Sequence, residues 1–244
     1  MILEVSHLKK SFGQRTILDN INFKVSEGEI VFFLGQSGTG KSVLLKNIVG
    51  LMRPEEGQIL VQGKNVVDLD ETSLRLVRKE CGMVFQHPAL FDSMTVFENL
   101  AFGLRRLTSL TEKEIQEKVQ DVLGSVHLPL SVLNQMPAEI SYGMQKRVSL
   151  ARTLVLDPKI LLFDEPTTGL DPVTTTAVNR LIKEVSRKFK TTSLVVSHDM
   201  RCAMEIADRV IFLDKGGLVF NGTLSEVKSS LHPLVKEFFL EVVS

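Results

Sequence analysis

Cysteine is scarce in this 244-residue sequence: only Cys81 and Cys202 occur. They lie far apart and outside any metal-ligand spacing. Two thiols permit at most one disulfide, and the ordinary expectation is a pair of buried or half-buried thiols in a reducing compartment. An excess of charge is also missing. Twenty-nine basic residues balance 29 acidic ones, so the chain lacks the basic footprint of a nucleic-acid binder and no nucleic-acid partner is expected. Long apolar runs are absent too. The run Ile30–Leu34 is far shorter than the ~20 residues that cross a bilayer, so any action at a membrane requires another chain to hold this one there. Residues 1–7 alternate like a strand, without a basic region followed by an apolar stretch, and no signal or transit peptide is expected. There is no repeat, low-complexity tract or flexible linker.

What is present suits an ordinary globular protein. Hydrophobic residues make up 43% and charged residues 24%, which excludes a disordered chain. The length fits one substantial α/β domain with an inserted lobe. Residues 2–8 and 17–25 read as strands around a polar turn at 13–15. Ile30–Leu34 reads as a strand buried on both faces. A helix is expected from Lys41, with Val43, Leu44, Ile48 and Leu51 on one face and Gly50 and Pro54 at its exit. Residues 57–67 read as strand again, turning at Gln62-Gly63-Lys64. From about 88 to 151 the character changes: residues 111–123 form a charged amphipathic helix, and Pro129 and Pro137 interrupt the chain beyond it. This is a helical lobe inserted between strands. Strands resume at 160–163 and 192–196 around a helix at 174–189, with a hairpin at 210–220 and an amphipathic tail after them. Buried strands alternating with helices predict a parallel sheet covered on both faces.

Gly35-Gln36-Ser37-Gly38-Thr39-Gly40-Lys41-Ser42 fits G-x-x-x-x-G-K-[ST], after a buried strand and before a helix. Glycines let the backbone curl so that successive N–H groups face phosphate oxygens, and the helix start adds its dipole. Lys41 supplies a point charge to the phosphates, and the Ser42 hydroxyl is placed to ligate Mg²⁺. The loop alone says only nucleoside triphosphate; kinases, GTPases, helicases and transport ATPases all stay open. The second signal is Asp164-Glu165, two acids at the end of the apolar run 160–163. A buried strand avoids charge at its end unless the carboxylates serve a metal or a proton. Asp164 suits Mg²⁺, and Glu165 suits aligning and deprotonating the attacking water. No Asn-Lys-x-Asp element for guanine is present, which favours ATP hydrolysis over GTPase chemistry.

The sequence resembles the ATP-binding subunits of ABC transporters. Ile140-Ser141-Tyr142-Gly143-Met144-Gln145-Lys146-Arg147 stands where that family carries its Leu-Ser-Gly-Gly-Gln signature. Gln86 occupies the Q-loop position, Gly169-Leu170-Asp171 matches the D-loop, and His198 in Val196-Ser197-His198-Asp199 matches the switch histidine. The elements run in order over most of the chain. The resemblance implies a P-loop fold with a parallel-sheet core, an N-terminal antiparallel β subdomain and the inserted helical subdomain. It implies ATP and Mg²⁺ as ligands, with Ser42, Gln86 and Asp164 at the metal. It also implies head-to-tail pairing with a second ATPase subunit, so that Ser141 and Gly143 serve the partner's γ-phosphate. Glu165, His198, Gln86 and Lys41 are then the catalytic set, Asp171 belongs to the nucleotide site, and Phe12 stacks on adenine. Two positions depart from the pattern. Tyr142 replaces the first signature glycine, where it would crowd a facing nucleotide that needs close backbone approach. Met144 replaces the last glutamine and cannot hydrogen-bond as glutamine does. Turnover is still expected, because Ser141, Gly143, Glu165 and His198 are intact.

Residues 87–102, residues 38–46 and Met144 are similar to the ATPases of Mla-type lipid transporters. That resemblance implies a transmembrane permease, a mammalian-cell-entry (MCE) lipid-binding protein and a small accessory subunit as partners. It places the chain on the cytoplasmic face of a bacterial inner membrane, with phospholipid or a related hydrophobic molecule as cargo. An ATPase of an amino-acid or other polar-solute importer shares the same catalytic motifs. The tail at 232–244 reads either as a last helix folded back on the domain or as a docking place for another subunit.

Overall fold

The computed structural model of the chain describes residues 1–243, with side chains through Leu240. Two long antiparallel strands, β1 (Leu3–Phe12) and β2 (Arg15–Val25), open it. β3 (Ile30–Leu34), α1 (Lys41–Ile48), β4 (Glu56–Val61) and the two-residue β5 (Lys64–Asn65) come after them. The strand expected over 57–67 therefore stops early. The Asn65 side chain accepts the Ile59 and Val67 N–H groups and caps a 3₁₀ turn at Val66–Asp68. Satisfying those donors locally removes the reason to extend the ladder.

α2 (Glu71–Glu80), capped by Asp70, leads into β6 (Cys81–Val84). The helical lobe then comprises α3 (Val96–Leu107), α4 (Glu112–Ser125) and α5 (Tyr142–Leu154), with 3₁₀ turns between the last two. Thr95 and Thr111 make full capping boxes with Glu98 and Glu114. β7 (Ile160–Asp164), α6 (Pro172–Lys188), β8 (Thr192–Ser197) and α7 (Met200–Ile206) come next. The hairpin β9 (Arg209–Asp214) and β10 (Gly217–Thr223), then α8 (Leu224–Ser229) and α9 (Pro233–Val243), complete the chain.

Two sheets result. The smaller is antiparallel in the order β2-β1-β4-β5, and the larger runs β10-β9-β3-β8-β7-β6. Within the larger sheet β9, β3, β8, β7 and β6 are parallel, and only β10 is antiparallel. The central strands have no solvent face, which is why they read as unbroken apolar runs. Alternate residues split between two cores. Phe32, Leu34, Phe163, Val195 and Phe212 pack toward the helical lobe, α6 and α7. Val31, Phe33, Leu162, Val196 and Ile211 pack toward α1, α2 and the small sheet.

α9 folds back on the domain. Val235 and Phe238 are buried, and the Phe238 ring lies edge-on to Phe212 with centroids 5.4 Å apart. The last residue of the tail, Ser244, lies outside the described residues.

Arg209 ties the two sheets together. Its guanidinium donates to both Glu29 carboxylate oxygens (2.6 and 3.1 Å), to the Lys24 carbonyl at 2.6 Å and to Asn221 Oδ1 at 2.8 Å. Both members of the pair are largely withdrawn from water, at 19% and 16% side-chain exposure. Arg209→Ala removes the ion-pair partner of the Glu29 carboxylate, which keeps the Ser26 N–H as a donor, and we expect a loss of about 2–4 kcal/mol. A urea unfolding midpoint lowered at constant m-value is the measurement that checks this.

Candidate functional site

All the motif residues that line the cavity arrive at one edge because parallel strands end together. The carboxyl ends of β3, β6, β7 and β8 present, in turn, the loop from Gly35, Gln86, Asp164-Glu165 and His198. Ligands of open α/β sheets sit in this crevice. A cavity of about 720 Å³ opens here, lined among others by Phe12, Gln36, Gly38, Lys41, Ser42, Gln86, Glu165 and His198.

The loop's curl depends on glycine at two positions. A Cβ on Gly35 would come within 2.3 Å of the Leu213 carbonyl oxygen. Gly40 holds φ at 98°, and a Cβ there would meet the Leu18 side chain at 2.8 Å. Gly40 is also the N-cap of α1 and offers no side-chain acceptor. The capping side chains seen on α2 through α8 are absent here, so the first N–H groups of α1 are left for an anion.

Lys41 is buried at 5% exposure and donates to the Gly35 and Gln36 carbonyls at 2.8 and 3.0 Å. Burial pushes its ammonium below the ordinary lysine range, and the Glu165 and Asp164 carboxylates oppose that push. Ser42 Oγ donates to Asp164 Oδ1 at 2.6 Å. One hydroxyl and one carboxylate, with Gln86 on the same cavity, form a sparse donor set. Among the described residues no cluster of three or more His, Cys, Asp or Glu is set to hold a metal. That chemistry fits Mg²⁺, which keeps most of its shell as waters and substrate phosphate oxygens rather than protein ligands.

Glu165 is the most constrained residue of the site. Its backbone sits at φ 50°, in the left-handed region, at a cost of order 1–3 kcal/mol that the surroundings must offset. Its N–H donates to the Val196 carbonyl at 3.0 Å. Its Oε2 accepts from Thr168 Oγ1 at 3.0 Å and pairs with His198 Nδ1 at 2.8 Å. Its Oε1 lies 3.8 Å from Lys41 Nζ. Three side chains thus fix one carboxylate beside the phosphate loop.

Several expected residues lie elsewhere. Ser141 caps α5, accepting the Met144 N–H at 3.3 Å; neither it nor Gly143 lines the cavity. Asp171 caps α6, accepting from the Val173 and Thr174 N–H groups and the Thr174 hydroxyl, and it too stands outside the cavity. Thr39 Oγ1 is spent within the loop on the Gln36 carbonyl. Tyr142 turns its ring back along α5, over Lys146. Sequence reasoning missed Thr168, Arg15 and Ile17, all of which line the cavity. Thr168 stands three residues beyond Glu165, a spacing that could have flagged it; Arg15 and Ile17 come from the other sheet and carry no local signal.

A doubly covered parallel sheet with a phosphate loop and an acid pair at its carboxyl edge defines a P-loop nucleoside triphosphatase. Residues 18–168 match the model of the ABC transporter family, and the chain belongs to that family as an ABC ATPase domain. It is 40% identical over 236 residues to the probable ribonucleotide transport ATP-binding protein mkl of Mycobacterium tuberculosis, covering 97% of this chain and 66% of that longer protein. It is 39% identical to the intermembrane phospholipid transport system ATP-binding protein MlaF of Haemophilus influenzae, over 97% of this chain and 89% of that one. Among solved structures, cbiO1 of Clostridium perfringens, part of the transporter complex cbiONQ, superposes with a TM-score of 0.87 at 30% identity, covering 99% and 94% of the two chains. The cassette MJ0796, in a dimeric post-hydrolysis state bound to ADP and Pi, gives 0.82 at 30% identity over 91% and 98%. Family cassettes work as dimers with transmembrane permease partners. Among the described residues no helix is long and apolar enough to cross a membrane.

Proposed function

We propose that two copies of this chain pair head to tail, hydrolyse ATP at two shared sites, and drive a permease that moves phospholipid or a related hydrophobic molecule. The observation that carries the catalytic half is the grip on Glu165: Thr168 and His198 aim its carboxylate at the space beside Lys41. A water held there loses its proton to Glu165 as its oxygen bonds the γ-phosphorus, and the bond to the β,γ-bridging oxygen breaks to release ADP and phosphate. His198 keeps the carboxylate in place and faces the same phosphate. The loop N–H groups and Lys41 hold the phosphates, and Phe12, half exposed at the cavity rim, stacks on adenine. Ser42, Asp164 and Gln86 hold Mg²⁺, which supplies positive charge to the phosphate oxygens when bound. Ser141, Gly143 and Asp171 lie outside their own chain's cavity, as residues that complete the partner's site would.

The cargo assignment rests on similarity to MlaF along nearly its whole length and on the lipid-transporter character of residues 87–102. On this reading the chain sits at the cytoplasmic face of a bacterial inner membrane beside a permease, an MCE-domain protein and a small accessory subunit. A second reading, a polar-solute importer, is favoured by 40% identity over 235 residues to the methionine import ATP-binding protein MetN of Carboxydothermus hydrogenoformans. Affinity purification of the tagged chain from its native membrane separates the two. Recovery of a permease with an MCE-domain protein is expected; recovery with a periplasmic amino-acid-binding protein would overturn the lipid assignment.

A further inference from the structure

The middle of α5 carries a buried cation that the catalytic reading leaves without a role. Lys146 is 8% exposed. Its ammonium donates to the Gln86 carbonyl at 3.0 Å and to the Pro166 carbonyl at 2.7 Å. The Tyr142 ring, one helical turn earlier, lies over it at 5.5 Å, the spacing at which i and i+4 side chains meet. The Tyr142 hydroxyl reaches toward the residue after Gln86, 3.4 Å from His87 Nδ1. Among the described residues no carboxylate accepts from Lys146. Burial alone lowers its proton affinity.

These contacts join three pieces of chain that serve different parts of the reaction. Gln86 lines the nucleotide cavity. Pro166 directly follows Glu165. Ser141 and Gly143 stand at the start of the helix that carries Lys146. Two of the three ammonium donors are committed to carbonyls and an aromatic face covers the cation, so a long flexible side chain is held in one place. An alkyl replacement would leave both carbonyls short of a donor inside the fold.

Resting on the composite-site reading above, we propose that Lys146 is a positioning residue, with Tyr142 as its cover. It fixes the signature helix to the backbone of Gln86 and of the Glu165 loop. A shift of the Q-loop in one half-site is thereby carried to the Ser141–Gly143 end that completes the partner's half-site. Tyr142, in place of the family's glycine, belongs to this link and does not obstruct the facing nucleotide.

The test uses the purified transporter complex with full-length chain, compared as parent, Lys146→Met, Lys146→Arg and Tyr142→Ala. Phosphate release is followed against ATP concentration, nucleotide affinity by fluorescent ATP analogue, and stability by thermal melting. For Lys146→Met the expectation is a fall in kcat of about tenfold or more, with KM and analogue affinity within about twofold. Lys146→Arg, which keeps the donors, recovers most of the loss. Tyr142→Ala, a change at a half-exposed position that keeps the fold, lowers kcat by about threefold at unchanged KM. Lys146→Met turning over within twofold of the parent overturns the proposal, as does a parallel loss of kcat, analogue affinity and melting temperature, which marks a merely structural lysine. A rise in kcat for Tyr142→Ala overturns the role of Tyr142 and restores the crowding expectation. A parent complex that binds and hydrolyses no ATP sinks the composite-site reading itself, a result distinct from all of these.

Discussion

Glu165→Gln is expected to lower ATP turnover by about 10²–10⁴-fold, the range a positioned general base supplies, while ATP binding is kept. The physical reason lies in what the amide retains. Its oxygen still accepts from Thr168, and its length still fills the space between Lys41 and His198. It loses the capacity to take a proton from water. It also loses a negative charge beside the γ-phosphate, so nucleotide affinity should hold or rise. Steady-state phosphate release together with fluorescent-nucleotide titration reads both quantities. Turnover at the parental rate would remove Glu165 from the role of base.

Lys41→Met is expected to act on the other quantity. A cation 5% exposed and aimed along the loop interacts with phosphate across little screening solvent. Its hydrogen bonds to charged oxygens are of the strong kind, so losing them should weaken ATP affinity by about a hundredfold. Folding should change little. Among the described residues the ammonium meets the Gly35 and Gln36 carbonyls and, at 3.8 Å, the Glu165 carboxylate, which keeps Thr168 and His198 as partners when the cation is removed. Nucleotide titration and thermal melting of the same variant check the pair of expectations. A melting temperature that falls as steeply as affinity would mean that Lys41 holds the loop more than it holds phosphate.

The residues legible in the sequence are those whose chemistry is local. A phosphate loop needs eight consecutive residues in one conformation, and an acid pair needs the end of one strand, so residues 35–42 and Asp164-Glu165 stand out without knowledge of the fold. The sheet core is legible for a similar reason: strands covered on both faces must be apolar throughout. The features that escape depend on partners distant in sequence. Lys146 looks like one more charge on an amphipathic helix until its contacts with Gln86 and Pro166 are seen. Arg15 and Ile17 reach the cavity only because the small sheet folds over the loop. α2 escapes although Leu74 and Val77 share one buried face, because only ten residues carry the pattern, fewer than the window of about 11–18 over which helical periodicity is read. α9 shows an amphipathic pattern, but nothing in it foretells that Phe238 meets Phe212.

A mixing experiment bears most directly on the site being completed between two chains. Ser141→Arg blocks the half-site donated to a partner, and Glu165→Gln disables the half-site that binds nucleotide, so each variant alone should be inactive. In a mixed pair, the intact Glu165 of one chain faces the intact Ser141 of the other. Phosphate release should return on mixing, toward roughly a quarter of the parental rate for randomly assorted pairs with one working site in each mixed pair. A mixture as inactive as its two components would contradict the shared site.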